Sequence, residues 1–124
     1  MENPPLSLIV LRSSQMEAML AFYKTLGFTF VEEQHGSGPI HYSTQSASSV
    51  LEIYPGAAAA PIDRKSSGAT MLGFSVMSLN DVLASLEKSR SPLILAAKDS
   101  PWGRRAIVAD PDGRAIELSE PKKN

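Results

Sequence analysis

Glu52 and Glu117 are the residues of this chain best placed to do chemistry. Each sits inside a short apolar stretch, Val50-Leu51-Glu52-Ile53-Tyr54 and Ala115-Ile116-Glu117-Leu118-Ser119. In an alternating strand the carboxylate points to one face while its apolar neighbours point to the other. Two such carboxylates facing one hollow can accept from a cationic or hydroxyl-rich ligand, act as a general base, or hold a hard cation loosely. A hollow shared by both is therefore the expected site.

Other residues qualify by strand parity. Tyr54 shares the face of Glu52, and Arg12 shares the face of Leu8 and Val10. The planar fork of Arg12 suits a carboxylate, although a strand-end arginine in solvent is the commoner state. His41 lies opposite Ile40 and Tyr42, equally suited to a packed, hydrogen-bonded role and to a pocket wall. His35 opens the turn His35-Gly36-Ser37-Gly38-Pro39 and reads as a solvated loop residue; folded over the hollow, that turn would be a lid. Trp102, the sole tryptophan, either caps the edge of the core or walls the ligand. Arg104 and Arg105 alternate, so only one of them faces the hollow. Asp110 and Asp112 belong to the turn Asp110-Pro111-Asp112-Gly113 and read as structural. The candidate ligand-binding set is Glu52, Glu117, His41, Tyr54, Arg12 and Trp102.

A duplicated unit positions these residues. Leu6 to Leu11 reads as a strand, followed by a capping box at Ser14-Gln15-Met16-Glu17. Met16, Met19, Leu20, Tyr23 and Leu26 then recur at helical spacing until Gly27. Strands are expected at Phe28–Glu33, Ile40–Thr44 and Ser49–Tyr54. The order repeats with a strand at Thr70–Val76, a helix capped by Ser78 with Leu79, Val82, Leu83 and Leu86 on its apolar face, and strands at Leu93–Ala97, Arg105–Ala109 and Ala115–Ser119. Aligning Leu8 with Met71 places Met16 on Leu79 and Met19 on Val82. The reading is one domain over 1–124, with a first βαβββ module at 5–55, a linker at 56–69 and a second module at 70–120. Modules of this size bury too little surface alone, so the halves must pack together.

Composition removes several function classes. Twelve basic against 13 acidic residues offer no field for nucleic acid. The absence of cysteine excludes disulfides, thiolate metal sites and thiol nucleophiles. No apolar run reaches the ~20 residues that span a bilayer, and Met1-Glu2-Asn3-Pro4-Pro5 does not open a secretory leader, so a cytoplasmic protein without membrane contact is expected. No Gly-x-Ser-x-Gly elbow, phosphate-cradling loop or dinucleotide fingerprint is present.

The chain resembles the vicinal oxygen chelate superfamily of glyoxalases, bleomycin-resistance proteins and dioxygenases. The resemblance rests on Met19-Leu20-Ala21-Phe22-Tyr23 with Leu26-Gly27-Phe28, on Val50-Leu51-Glu52-Ile53, and on Trp102-Gly103, Asp110-Pro111-Asp112-Gly113 and Ile116-Glu117-Leu118. It implies an α+β fold of two tandem βαβββ modules forming a curled mixed sheet around a cleft, often within a homodimer whose interface completes the pocket. In metal-using members the first strand of each module gives a His, Gln or Glu ligand and the last strand a carboxylate. Here the last-strand positions fall on Glu52 and Glu117, but the first-strand positions fall on Leu8 and Met71. No His, Gln or Glu occurs in Leu6–Ser13 or Thr70–Val76. No metal ligand set and no cofactor are therefore expected, beyond a weak divalent cation at Glu52 and Glu117. Arg12 occupies the place where the resemblance implies an arginine that grips a glutathione carboxylate. The expected function is small-molecule binding in a homodimer. The alternatives are a glyoxalase-like lyase or isomerase acting on a small carbonyl or glutathione adduct, and an ancillary protein with a vestigial cleft.

Overall fold

The computed structural model describes residues 3–44, 49–56 and 70–122. Its elements are β1 (Leu8–Ser13), α1 (Met16–Leu26), β2 (Phe30–Glu33), β3 (His41–Thr44), β4 (Val50–Pro55), β5 (Leu72–Ser75), α2 (Leu79–Lys88), β6 (Leu93–Ser100), β7 (Gly103–Ala109) and β8 (Ala115–Pro121). They form two separate four-stranded mixed sheets, ordered β1-β4-β3-β2 and β5-β8-β7-β6. The first strand of each half runs parallel to the last, and the remaining pairs are antiparallel. The register sets Val10 beside Glu52 and Gly73 beside Glu117, so the repeat read from the sequence is also a repeat in space. This is the α+β architecture expected, with neither sheet closed on itself. The expected linker and the run Gln45 to Ser48 fall on or within residues 57–69 and 45–48, outside the described residues.

The core follows from strand alternation. Leu11, Leu51 and Ile53 turn toward α1, whose Met19, Phe22, Tyr23 and Leu26 are buried; Ile116 and Leu118 turn toward Leu79 and Leu86 of α2. The helices touch each other, and Phe74 of β5 packs edge-on against both Tyr23 and Phe28. The helix-covered faces of the two sheets thus share one core. Among the described residues no helix covers the opposite, open faces.

Local chemistry explains the helix ends. Gly27, at φ +117°, lets its own N–H reach the Lys24 carbonyl and that of Phe28 reach Tyr23, closing α1. Ser78 caps α2 by accepting from the Asp81 N–H at 3.3 Å. The expected capping box at Ser14 does not form. The cap position is Gln15, with no side-chain cap bond, because its amide donates instead to the Pro111 carbonyl and to Asp112 Oδ1 at 2.8 Å in the other half. Ser13 Oγ takes up the Gln15 N–H.

The Asp110–Gly113 turn locks the halves together. The buried Asp110 carboxylate accepts from the Tyr23 hydroxyl at 2.8 Å, from the Asp112 and Arg114 N–H groups at 3.0 Å each, and from Arg114 Nη1 at 3.1 Å. Arg114 Nη2 also donates to the Arg12 carbonyl at 2.9 Å. Burial, then the charge and hydrogen bond of Asp110, push the Tyr23 phenol well above the usual tyrosine range. Burial alone would lower the pKa of Arg114, but Asp110 and Asp112 outweigh it and hold the guanidinium charged. The structural role expected of both aspartates is the one observed.

Candidate functional site

On the first sheet, alternation sends Glu52 and Tyr54 to the open face, away from Leu51 and Ile53. Leu8, Val10 and Arg12 join them from β1, and His41 joins them from β3, in register with Glu33 of β2. His41 is nevertheless only 1% exposed. Its ring stacks on Tyr54 at 4.1 Å with 7° between planes, and the ring of His35 lies 5.1 Å away. Nδ1 lies 3.2 Å from the Pro39 carbonyl oxygen. The His35–Pro39 turn thus folds against this face, as a lid would. Nε2 lies 3.5 Å from Glu33 Oε1 and 3.7 Å from Glu52 Oε2, with no hydrogen-bond partner. The Arg12 guanidinium sits 5.6 Å from the centre of the Tyr54 ring, a cation–π contact.

The second sheet carries a different arrangement. Glu117 Oε1 forms an ion pair with Arg105 Nη2 at 3.0 Å, and Trp102, Gly103, Arg105, Glu117 and Ser119 are among the residues that line a cavity of about 290 Å³. Arg104 also borders this cavity and pairs with Asp99 at 3.6 Å. Trp102 stands 83% exposed at the tip of the β6–β7 turn and does not cap the core. A concavity of about 900 Å³ between α1, Ser89–Pro92 and Asp110–Gly113 offers little chemistry because its aspartates are committed to Tyr23, Arg114 and Gln15.

Within one chain, then, Glu52, His41, Tyr54 and Arg12 come together on one open face, and Glu117 and Trp102 on the other. The cavity at Glu117 is lined from the second sheet alone and does not reach Glu52. Sequence reasoning left out Glu33, while its reading of His35 as an exposed turn residue is the one observed. The signal for Glu33 was available, since it ends the strand before the turn that returns to His41. The first-strand positions Leu8 and Met71 stand half exposed and carry no oxygen or nitrogen donor, so the side chains at the superfamily's four metal positions do not fit a four-ligand cation.

The fold and these positions define a class. The family model for the Glyoxalase/Bleomycin resistance protein/Dioxygenase superfamily matches residues 6–118, and the chain belongs to that superfamily. Among solved structures it is similar to TnmS3, an antibiotic binding protein from Streptomyces sp. CB03234, at 25% identity, with 98% of this chain and 99% of that one covered and a TM-score of 0.72. A glyoxalase/dioxygenase from Nostoc punctiforme matches at 18% identity and a TM-score of 0.75, covering 95% of this chain and 91% of its own, a likeness of fold. An uncharacterized protein of Mycolicibacterium smegmatis is 24% identical over 99% of both chains.

Proposed function

We propose that this chain is a small-molecule-binding protein that holds an organic ligand on its open sheet faces, without a cation at the superfamily's four-ligand position. The observation that carries this reading is the pairing of retained carboxylates with apolar first-strand residues. Glu52 and Glu117 stay on the open faces, while Leu8 and Met71 offer a lipophilic surface where a donor would be needed. Such a surface suits an organic molecule carrying cationic or hydroxyl groups: the apolar residues remove its skeleton from water and the carboxylates fix its polar groups. The aromatic face of Tyr54 adds a stacking wall. The similarity to a protein described as antibiotic binding supports the same reading. A second copy of the chain, covering the open faces, completes the hollow.

Calorimetric titration with a panel of cationic aromatic antibiotics tests this directly. Saturable binding without turnover is expected. The double variant Glu52→Gln, Glu117→Gln is expected to bind at least about tenfold more weakly, since a hydrogen bond to a charged group contributes about 1.5–3 kcal/mol. Its circular dichroism should match wild type. Undiminished affinity in that variant would remove both glutamates from the site. Turnover of a hemithioacetal of glutathione would replace this reading with the lyase.

A further inference from the structure

His41, the chain's one buried histidine, has an unspent lone pair. Its Nδ1 faces the Pro39 carbonyl at 3.2 Å. A carbonyl only accepts, so the ring proton belongs on Nδ1 and Nε2 is left as an acceptor. That nitrogen is buried and unpartnered, and it looks toward two further acceptors, Glu33 Oε1 at 3.5 Å and Glu52 Oε2 at 3.7 Å. Three acceptors around one point repel each other unless something positive lies between them. Both separations exceed the roughly 2.7–2.9 Å of a charge-assisted N–H···O bond. Ligand atoms about 2.0–2.1 Å from a tetrahedral zinc ion, by contrast, stand roughly 3.4 Å from one another. The two separations are of that size.

His35 supplies the remaining donor. Glu33, His35 and His41 each offer one ligand atom, and these atoms lie within 4.8 Å of one another. His35 is exposed on its turn, so a rotation of its side chain suffices to close the set. The antiparallel register sets Glu33 opposite His41, and Glu52 follows on β4 in the same sheet.

We propose that Glu33, His35 and His41 form a site for a borderline divalent cation of the zinc class, with the Glu52 carboxylate beside it, 3.7 Å from His41. Two imidazoles and a carboxylate are donors such an ion takes, and the nearby carboxylates neutralise its charge. The Pro39 carbonyl holds the tautomer that metal ligation requires. The position is not that of the superfamily's ion: the three donors come from β2, the turn after it and β3, rather than from the first and last strands of the modules. An ion there fastens the His35–Pro39 turn to the sheet. The proposal stands independently of any organic ligand.

The test uses tag-free full-length protein, stripped with chelator and titrated with Zn²⁺ alone by calorimetry, then with Co²⁺ for its visible absorption. One ion per chain is expected, with a cobalt spectrum of tetrahedral nitrogen and oxygen ligation. His35→Ala and Glu33→Gln alter exposed or half-exposed side chains, and their fold is checked by circular dichroism. Each is expected to weaken Zn²⁺ binding by at least about tenfold, because loss of even an outer-shell partner costs about 10–100-fold. Absence of saturable one-to-one binding, or wild-type affinity in both variants, would overturn the assignment. So would a loss of that size in Glu117→Gln instead, since it would move the ion to the superfamily's position.

Discussion

Asp110 has the residue type and burial of a catalytic acid, and the fold spends it on structure. Four donors converge on its carboxylate, one of them the Tyr23 hydroxyl from the other half of the chain. Tyr23→Phe removes one donor and leaves the ring packing intact, so it is expected to cost about 1–2 kcal/mol in urea denaturation. Because the folded state holds the Tyr23 proton more tightly than the unfolded chain does, its contribution is fully present below the ordinary tyrosine pKa of about 10 and declines as pH rises above it. Thermal melts between pH 9 and about 11 should show a shallower alkaline decline in Tyr23→Phe than in wild type; equal slopes would mean that the phenol is not the linked group. The structural reading of this aspartate was legible in the sequence because it opens a turn that Pro111 and Gly113 mark. The burial of His41 was not, because parity gives the face on which a side chain lies but not the turn that later covers it.

Among the elements, apolar periodicity located all eight strands and both helices, while several ends were misjudged for identifiable reasons. β6 runs on to Ser100, past the expected Ala97, because Lys98 and Asp99 are polar edge residues whose backbones still pair with Arg105 and Arg104. β7 begins at Gly103, two residues before the expected start, since the hairpin closes tightly around Pro101 and Trp102. That closure depends on Gly103. Its φ of +139° is a backbone region that side chains rarely adopt, and a Cβ there would collide with the Glu120 carbonyl. Gly103→Ala is accordingly expected to destabilise the protein by more than about 2 kcal/mol, measured by chemical denaturation. A cost below about 0.5 kcal/mol, the scale of an ordinary surface substitution, would show that the hairpin relaxes without it.

For the whole molecule, the sequence revealed two halves but not which way they would face. The reason lies in β1, where Leu8, Ile9, Val10 and Leu11 follow one another without a polar break. A strand apolar on both faces needs cover on both. Among the described residues only one face receives it: Leu11 is buried and Ile9 packs on the core, whereas Leu8 and Val10, together with Val31 on the same open face, remain substantially exposed. Met71 stands equally exposed at the start of the second half. Exposed apolar side chains beside polar groups are characteristic of an interface, and on the reading proposed above the partner is a second copy of the chain, with a matching pair of open faces. Light scattering on eluting wild-type protein should therefore give the mass of a dimer. Leu8→Asp or Met71→Asp places a carboxylate on a half-exposed side chain outside the buried core. Each is expected to shift the eluting species to monomer with an unchanged circular dichroism spectrum, and to lose organic ligand binding at the same step. A variant that stays dimeric would place the interface elsewhere. A monomer that binds the ligand undiminished would show that one open face is sufficient.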